Sequence, residues 1–244
     1  MSEAIAEKAA DVILEVVNAK PGTSFLEPGV GTGLNVFPLV TRGYLVTGID
    51  VSKNMLTQFR QKFNAIPKNL ALLRMDASTL SFLDRSFDVV LTVHMIHTVS
   101  DWKGFLNEVE RVLKPKGFYV NAQWIMPPHR RKFDVDFRLV LEQHKPLSKE
   151  PDTETSEINT EGYFREKNWK SNYLVAHEWL TTNTVEELFS HYQSRVYGVC
   201  WEVADNVYQW VMKDFERFCV KQYGSLKAEL SSHAKFEIWS YTAS

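Results

Sequence analysis

The hydrophobic pattern divides the chain into alternating helical and strand periods. Residues 2–19 place Ile5, Ala9, Val12, Ile13, Val16 and Val17 at helical spacing, with Glu3, Glu7, Lys8, Asp11 and Glu15 mostly opposite. This predicts an amphipathic helix ending before Pro21-Gly22. A short apolar run at Phe25-Leu26 predicts a strand, residues 34–41 a short helix with Pro38 in its first turns, and residues 44–49 a second strand. Ser52 is expected to cap a helix whose core face is Met55, Leu56, Phe59 and Phe63. Further strands follow at 70–74, 89–93 and 118–124. Between the last two, Asp101 caps a helix carrying Trp102, Phe105, Leu106, Val109, Val112 and Leu113 at helical spacing. The near-continuous β-branched run from Val89 to Val93 has the pattern of a central parallel strand covered on both faces.

Beyond residue 125 the alternation breaks. Pro127-Pro128, a basic run at 129–132, a helical stretch at 133–144 and a polar segment at 150–157 read as an insertion. Regularity returns with a strand at 172–180, a capping-box signature at Thr184 and Glu187, a longer helix at 201–222 and a last strand at 234–242. Strands alternating with helices predict an α/β chain with a parallel, doubly wound sheet. The expected division is an N-terminal helix at 1–22, a core at 23–126, an insertion or lid at 127–171 and the rest of the core at 172–244.

Composition narrows the function classes. The 244 residues are 44% hydrophobic, enough to bury a full core, and the formal net charge of -2 leaves no basic excess to condense on nucleic acid or an anionic membrane. Two cysteines, Cys200 and Cys219, provide neither a disulfide framework nor a zinc site, so no metal is expected and the thiols read as reduced. No run approaches the roughly 18 apolar residues of a membrane span. The expected setting is cytoplasmic.

The candidate chemistry lies in Glu27-Pro28-Gly29-Val30-Gly31-Thr32-Gly33, where glycine recurs at every second position after a strand. Glycine adopts positive φ and lacks a Cβ, so such a loop turns sharply and lets a ligand reach the backbone. Asp50, at the end of the second strand and about 20 residues on, suits the two hydroxyls of a ribose. The dinucleotide pattern requires a third glycine where Leu34 stands, and a P-loop requires Lys then Ser or Thr where Leu34 and Asn35 stand. Both readings fail, leaving a nucleoside site of another kind. His94 and His97 follow the fourth strand, where proton transfer near neutral pH or substrate orientation is open to them.

Four motifs in order, E-P-G-V-G-T-G, G-I-D-V-S-K-N-M-L, M-D-A, and F-D-V-V-L leading to V-H-M-I-H, resemble those of the class I S-adenosylmethionine-dependent methyltransferases, in particular the small-molecule branch. The segment L-N-E-V-E-R-V-L-K-P-K-G-F-Y-V resembles the helix and strand that follow in that family, with Lys116 where glycine is commoner, a change expected not to matter. The resemblance implies a Rossmann-like, seven-stranded, mostly parallel sheet whose antiparallel last strand is inserted beside the sixth, with a helical insertion after strand five that carries substrate specificity. It implies S-adenosyl-L-methionine as cofactor and S-adenosyl-L-homocysteine as product. The implied cofactor residues are Glu27, Gly29, Gly31, Gly33, Asp50, Val51, Met55, Asp76, Ala77 and Val93, with Asp50 on the ribose and Asp76 on the adenine. His94, His97, Trp102 and Trp124 are the substrate-pocket candidates, with Tyr163, Phe164 and Trp169 as further aromatic walls. His97, at the family's usual position, is expected to pack beneath the cofactor rather than to act as a base, and His94 stays open. The implied partner is a small-molecule acceptor methylated on oxygen, nitrogen or carbon, with no nucleic acid and no membrane. The alternatives are a catalytically inactive cofactor-binding protein or a non-methylating enzyme using the same cofactor.

Overall fold

The computed structural model describes residues 3–144, 158–201 and 203–243. Its seven strands are β1 (Ser24–Pro28), β2 (Leu45–Asp50), β3 (Leu70–Arg74), β4 (Phe87–Val93), β5 (Leu113–Ile125), β6 (Lys170–Thr184) and β7 (Glu229–Thr242). They form one sheet in the order β3-β2-β1-β4-β5-β7-β6, with β7 beside β6 as expected and the last strands antiparallel to the rest. Among the first five strands every pairing is parallel. Register brings the ends of β1, β2 and β3 level, with Pro28 opposite Ile49 and Ile49 opposite Leu73. The loops after these strands therefore open on one edge.

Helices α1 (Glu3–Val16), α2 (Phe37–Thr41), α3 (Lys53–Arg60) and α4 (Trp102–Val112) connect or cover these strands. The α2 helix is shorter than the expected 34–41 because the turns of the glycine loop run on to Val36, and Pro38 then occupies the first turn, where its missing N–H costs no bond. The predicted caps are in place: the Ser52 side chain accepts from the Met55 amide and Asp101 from the Gly104 amide. On α4, the expected apolar stripe of Trp102, Phe105, Leu106, Val109 and Val112 is buried. On α3, Leu56 and Phe59 are buried but Met55 faces outward, correcting its placement in the core.

The described residues form two compact units. One lies within Met1–Trp124, Thr155–His177 and Phe236–Ser244, the other within Ile125–Glu154 and Glu178–Lys235. The first packs α4 on the sheet through Leu26, Val90, Phe105, Leu106, Val109 and Tyr119. It includes α6 (Thr160–Glu166), which the hydrophobic pattern did not reveal because it is only two turns long and is nucleated by Asn159 accepting from the Gly162 amide. The second unit packs α5 (Pro128–His144), α7 (Val185–Gln193) and α8 (Asp205–Tyr223) around Phe137, Tyr192, Phe215 and Cys219. Pro128 opens α5 instead of preceding it, the position where proline suits a helix. The capping box expected at Thr184 and Glu187 is formed. The polar segment at 150–157 lies outside the described residues. Among the described residues no helix is long and apolar enough to cross a membrane.

At Ser24, the amide and hydroxyl both donate to Asp88 Oδ2, at 2.9 and 2.7 Å, and Lys114 Nζ joins them at 2.9 Å. The aspartate of the F-D-V-V-L motif thus ties the starts of β1 and β4 together, on the edge away from the glycine loop. Lys116, also on that edge, has φ of +64°, a left-handed conformation that disfavours a side chain. The expectation that lysine in place of glycine is neutral is therefore corrected. Lys116→Gly should raise stability by about 0.5–1 kcal/mol, the relief of left-handed strain less the entropy of glycine. Urea denaturation of the two proteins checks this, and an unchanged or lower midpoint contradicts it.

Candidate functional site

The glycine loop takes its shape from three positive-φ residues, Gly29 at +70°, Gly31 at +55° and Gly33 at +73°. The reasons for glycine differ between them. A Cβ on Gly29 would lie 2.6 Å from Met95 Cγ, and one on Gly33 would lie 2.3 Å from the Phe59 ring, so these two permit close packing. A Cβ on Gly31 would meet nothing within 4 Å. Gly31 is thus required by its backbone conformation, φ of +55°, and not by packing.

Asp50 fastens this loop. Its Oδ2 accepts from the Gly31 amide at 2.9 Å and its Oδ1 from the Ser52 amide at 2.8 Å. Each carboxylate oxygen retains a further lone pair, so the group is oriented by the protein and still able to receive two hydroxyls. Asp76, after β3, accepts from the Ser78 amide at 2.8 Å, and that bond holds its carboxyl below the usual carboxylate range. The loop that follows is anchored by Arg111 on α4, whose guanidinium donates to the Leu80 and Phe82 carbonyls and to Asp84 and Glu108. The charge network holds the guanidinium pKa above its ordinary value.

These loops enclose a cavity of about 490 Å³. Of the sequence candidates, Gly29, Asp50, Val51, Asp76, Ala77, Val93 and His94 line it together. Met75, Ser78, Met95, Thr98, Val99 and Ser100 complete the lining. The sequence analysis missed these six; their only signal is adjacency to the acidic and strand-end residues that were found. Gly31 reaches the site through Asp50, and Glu27 and Gly33 lie behind the loop. Met55, exposed on α3, is not among the lining residues.

The other aromatic and histidine candidates separate. His97 is exposed in a short 3-10 turn at Ile96–Thr98 and is absent from the lining, so its expected packing beneath a cofactor is corrected. Trp102 belongs to the apolar core and borders a separate cavity of about 400 Å³ with Tyr163 and Lys167. Phe164 is fully buried in that core and Trp169 packs against it, which gives both a structural role instead of the expected place in the wall. Tyr163 donates to Asn107 and Glu110 on α4. Trp124 contributes its amide instead of its ring: that N–H donates to His94 Nε2. His94 has φ of +51°, and enclosure of its ring, together with the nearby His97 imidazole, pushes its pKa down.

Glu27 at the end of β1 is only 1% exposed, and burial pushes its carboxyl pKa up to about 8, with Asn35 opposing and Asp50 adding to the rise. Asn35 Nδ2 donates to Oε1 at 3.2 Å, while Glu27 Oε2 and Asn35 Oδ1 have no partner. Two buried oxygens without partners cost free energy, and a polar group that partnered them would relieve it.

A direct finding joins the glycine loop and the Asp50 bridge: residues 26–121 match the model of the methyltransferase domain family. The chain carries a methyltransferase domain across these residues. Demethylmenaquinone methyltransferase of Tropheryma whipplei is 35% identical to this chain over 128 residues, covering 52% of each. The enzyme of the same name from Staphylococcus aureus is 33% identical over 135 residues, covering 53% of this chain and 56% of its own. The chain therefore spans about half the length of these curated relatives. The crystal structure of the YcgJ protein of Bacillus subtilis shares the fold over 96% of this chain and 97% of its own, with a TM-score of 0.59 and 14% identity.

Between pH 4.5 and about 8 the folded protein holds a proton on Glu27 that the unfolded chain has released. Stability should therefore fall as pH rises through that window, by up to about 1.4 kcal/mol per unit from this group. Glu27→Gln should flatten the dependence. Denaturation midpoints at pH 5, 6, 7 and 8 measure it, and equal slopes in the two proteins would contradict the buried proton.

Proposed function

We propose that this methyltransferase binds S-adenosyl-L-methionine in the cavity at the ends of β1 to β4 and transfers its methyl group to a small-molecule acceptor. The observation that carries the reading is the Asp50 carboxylate, fixed by the Gly31 and Ser52 amides with lone pairs left for a ribose. Asp76 and Ala77 stand at the β3 side, where an adenine amino group would find an acceptor. Glu27 Oε2 and Asn35 Oδ1 supply acceptors for the ammonium of the methionine part, and Gly31 leaves room for its chain.

When bound, the sulfonium supplies an electrophilic methyl group and keeps the electron pair of the broken S–C bond. The protein's task is alignment: holding donor and acceptor in line lowers the barrier without a base. Val93, His94 and Met95 border the cavity on the β4 side and would meet the acceptor. The relatives named for demethylmenaquinone support a small molecule as the acceptor.

Incubation with the cofactor and a panel of small acceptors should release S-adenosyl-L-homocysteine. Asp50→Ala and Asp76→Ala should each lower kcat/KM about tenfold or more, the loss of hydrogen bonds to a charged group. Tight cofactor binding with no product from any acceptor would contradict transfer and favour a binding protein.

A further inference from the structure

The sheet order assigns a direction to the cavity. Its lining comes from the ends of β3 at Asp76, β2 at Asp50, β1 at Gly29 and β4 at Val93 and His94, in that spatial sequence. With the nucleoside anchors Asp76 and Asp50 at the β3 and β2 side, the reacting end faces β4, and His94 is the ionisable side chain lining the cavity there. Its amide still donates to the Ala122 carbonyl, as a continuing strand would. The backbone then turns left-handed at φ of +51°, a conformation uncommon outside glycine but one that histidine adopts more readily than most residues. The turn brings Nε2 against the Trp124 amide, past the last residue of β5 paired with β4, Ala122.

A backbone N–H only donates, so Nε2 must be bare and the ring proton must sit on Nδ1. The lone pair that could take a proton is occupied by the Trp124 amide. What the ring retains is an Nδ1–H donor. A base would need the opposite arrangement.

We propose that His94 serves as a neutral Nδ1–H donor, locked by the Trp124 amide, which holds the acceptor substrate through an oxygen, and that the acceptors are therefore oxygenated small molecules such as phenols, enols or ring carbonyls. This deepens the methyltransferase reading and rests on it. His94 is then a specificity residue in contact with substrate, not the general base that its position after β4 leaves open.

Two measurements test the inference and separate its failure from failure of the underlying function. Calorimetry with S-adenosyl-L-homocysteine tests the cofactor site, and absence of binding overturns the methyltransferase reading itself. Long-range proton–nitrogen NMR of the cofactor-free protein at pH 7, with the His94 signals identified by their loss in His94→Gln, reads the tautomer. A protonated Nδ1 with a bare Nε2 is expected; an Nε2–H tautomer or an imidazolium in a protein that binds S-adenosyl-L-homocysteine overturns the proposal alone. In turnover assays, phenols and enolisable ketones are expected to be methylated in preference to aliphatic amines and thiols. His94→Phe should lower kcat/KM for the oxygenated acceptors about tenfold or more while leaving S-adenosyl-L-homocysteine affinity in place. Equal losses for every acceptor class would assign His94 a purely structural part as a cap on the strand end, and overturn the proposal.

Discussion

The site depends on one bridge, the Asp50 carboxylate spanning the Gly31 and Ser52 amides. It joins the glycine loop after β1 to the turn that starts α3, with Gly31 and Asp50 separated by 19 residues in sequence. Beside it, the Val30 amide donates to the Ile49 carbonyl, and Gly29 packs on Met95 and Gly33 on Phe59. The bridge also explains why an acidic residue is needed rather than any polar one: both oxygens accept, and each keeps capacity for a ligand. Shape and binding chemistry are the same interaction.

Behind that bridge lies a second constraint of opposite character. Glu27 is buried with one oxygen unpartnered, beside an asparagine whose oxygen is also unpartnered. Such an arrangement is poorly suited to stability and well suited to a cation, because a buried pair of acceptors waits for a donor. The same burial that pushes the Glu27 pKa up to about 8 in the free protein would make a positively charged ligand displace its proton. The unpartnered oxygens thus cost the loop folding free energy.

Most of this architecture is legible in the sequence because the strands are short, apolar and separated by caps with unambiguous chemistry: Ser52, Asp101 and Thr184 all cap as read. The glycine spacing and Asp50 were legible for the same reason, since few side chains permit what they do. Residues whose role depends on packing were not. Met55 sits at a core-like spacing but faces outward, because the buried arc of α3 is only as wide as Leu56 and Phe59. Phe164 and Trp169 look like pocket walls in sequence, yet α6 folds them into the core of the first unit. The two histidines after β4 are three residues apart and indistinguishable by type. Only the left-handed turn at His94 sends one into the cavity and leaves the other outside.

The central claim is that this edge of the sheet holds the nucleoside of S-adenosyl-L-methionine and not that of a dinucleotide. Calorimetric titration of the purified protein with S-adenosyl-L-methionine and, separately, NADH tests it most directly, with Asp50→Ala alongside. The account predicts binding of the sulfonium cofactor, binding lost or much weakened in the variant, and no binding of NADH. Binding of NADH without S-adenosyl-L-methionine would contradict it, and the reading of the glycine loop would fall with it.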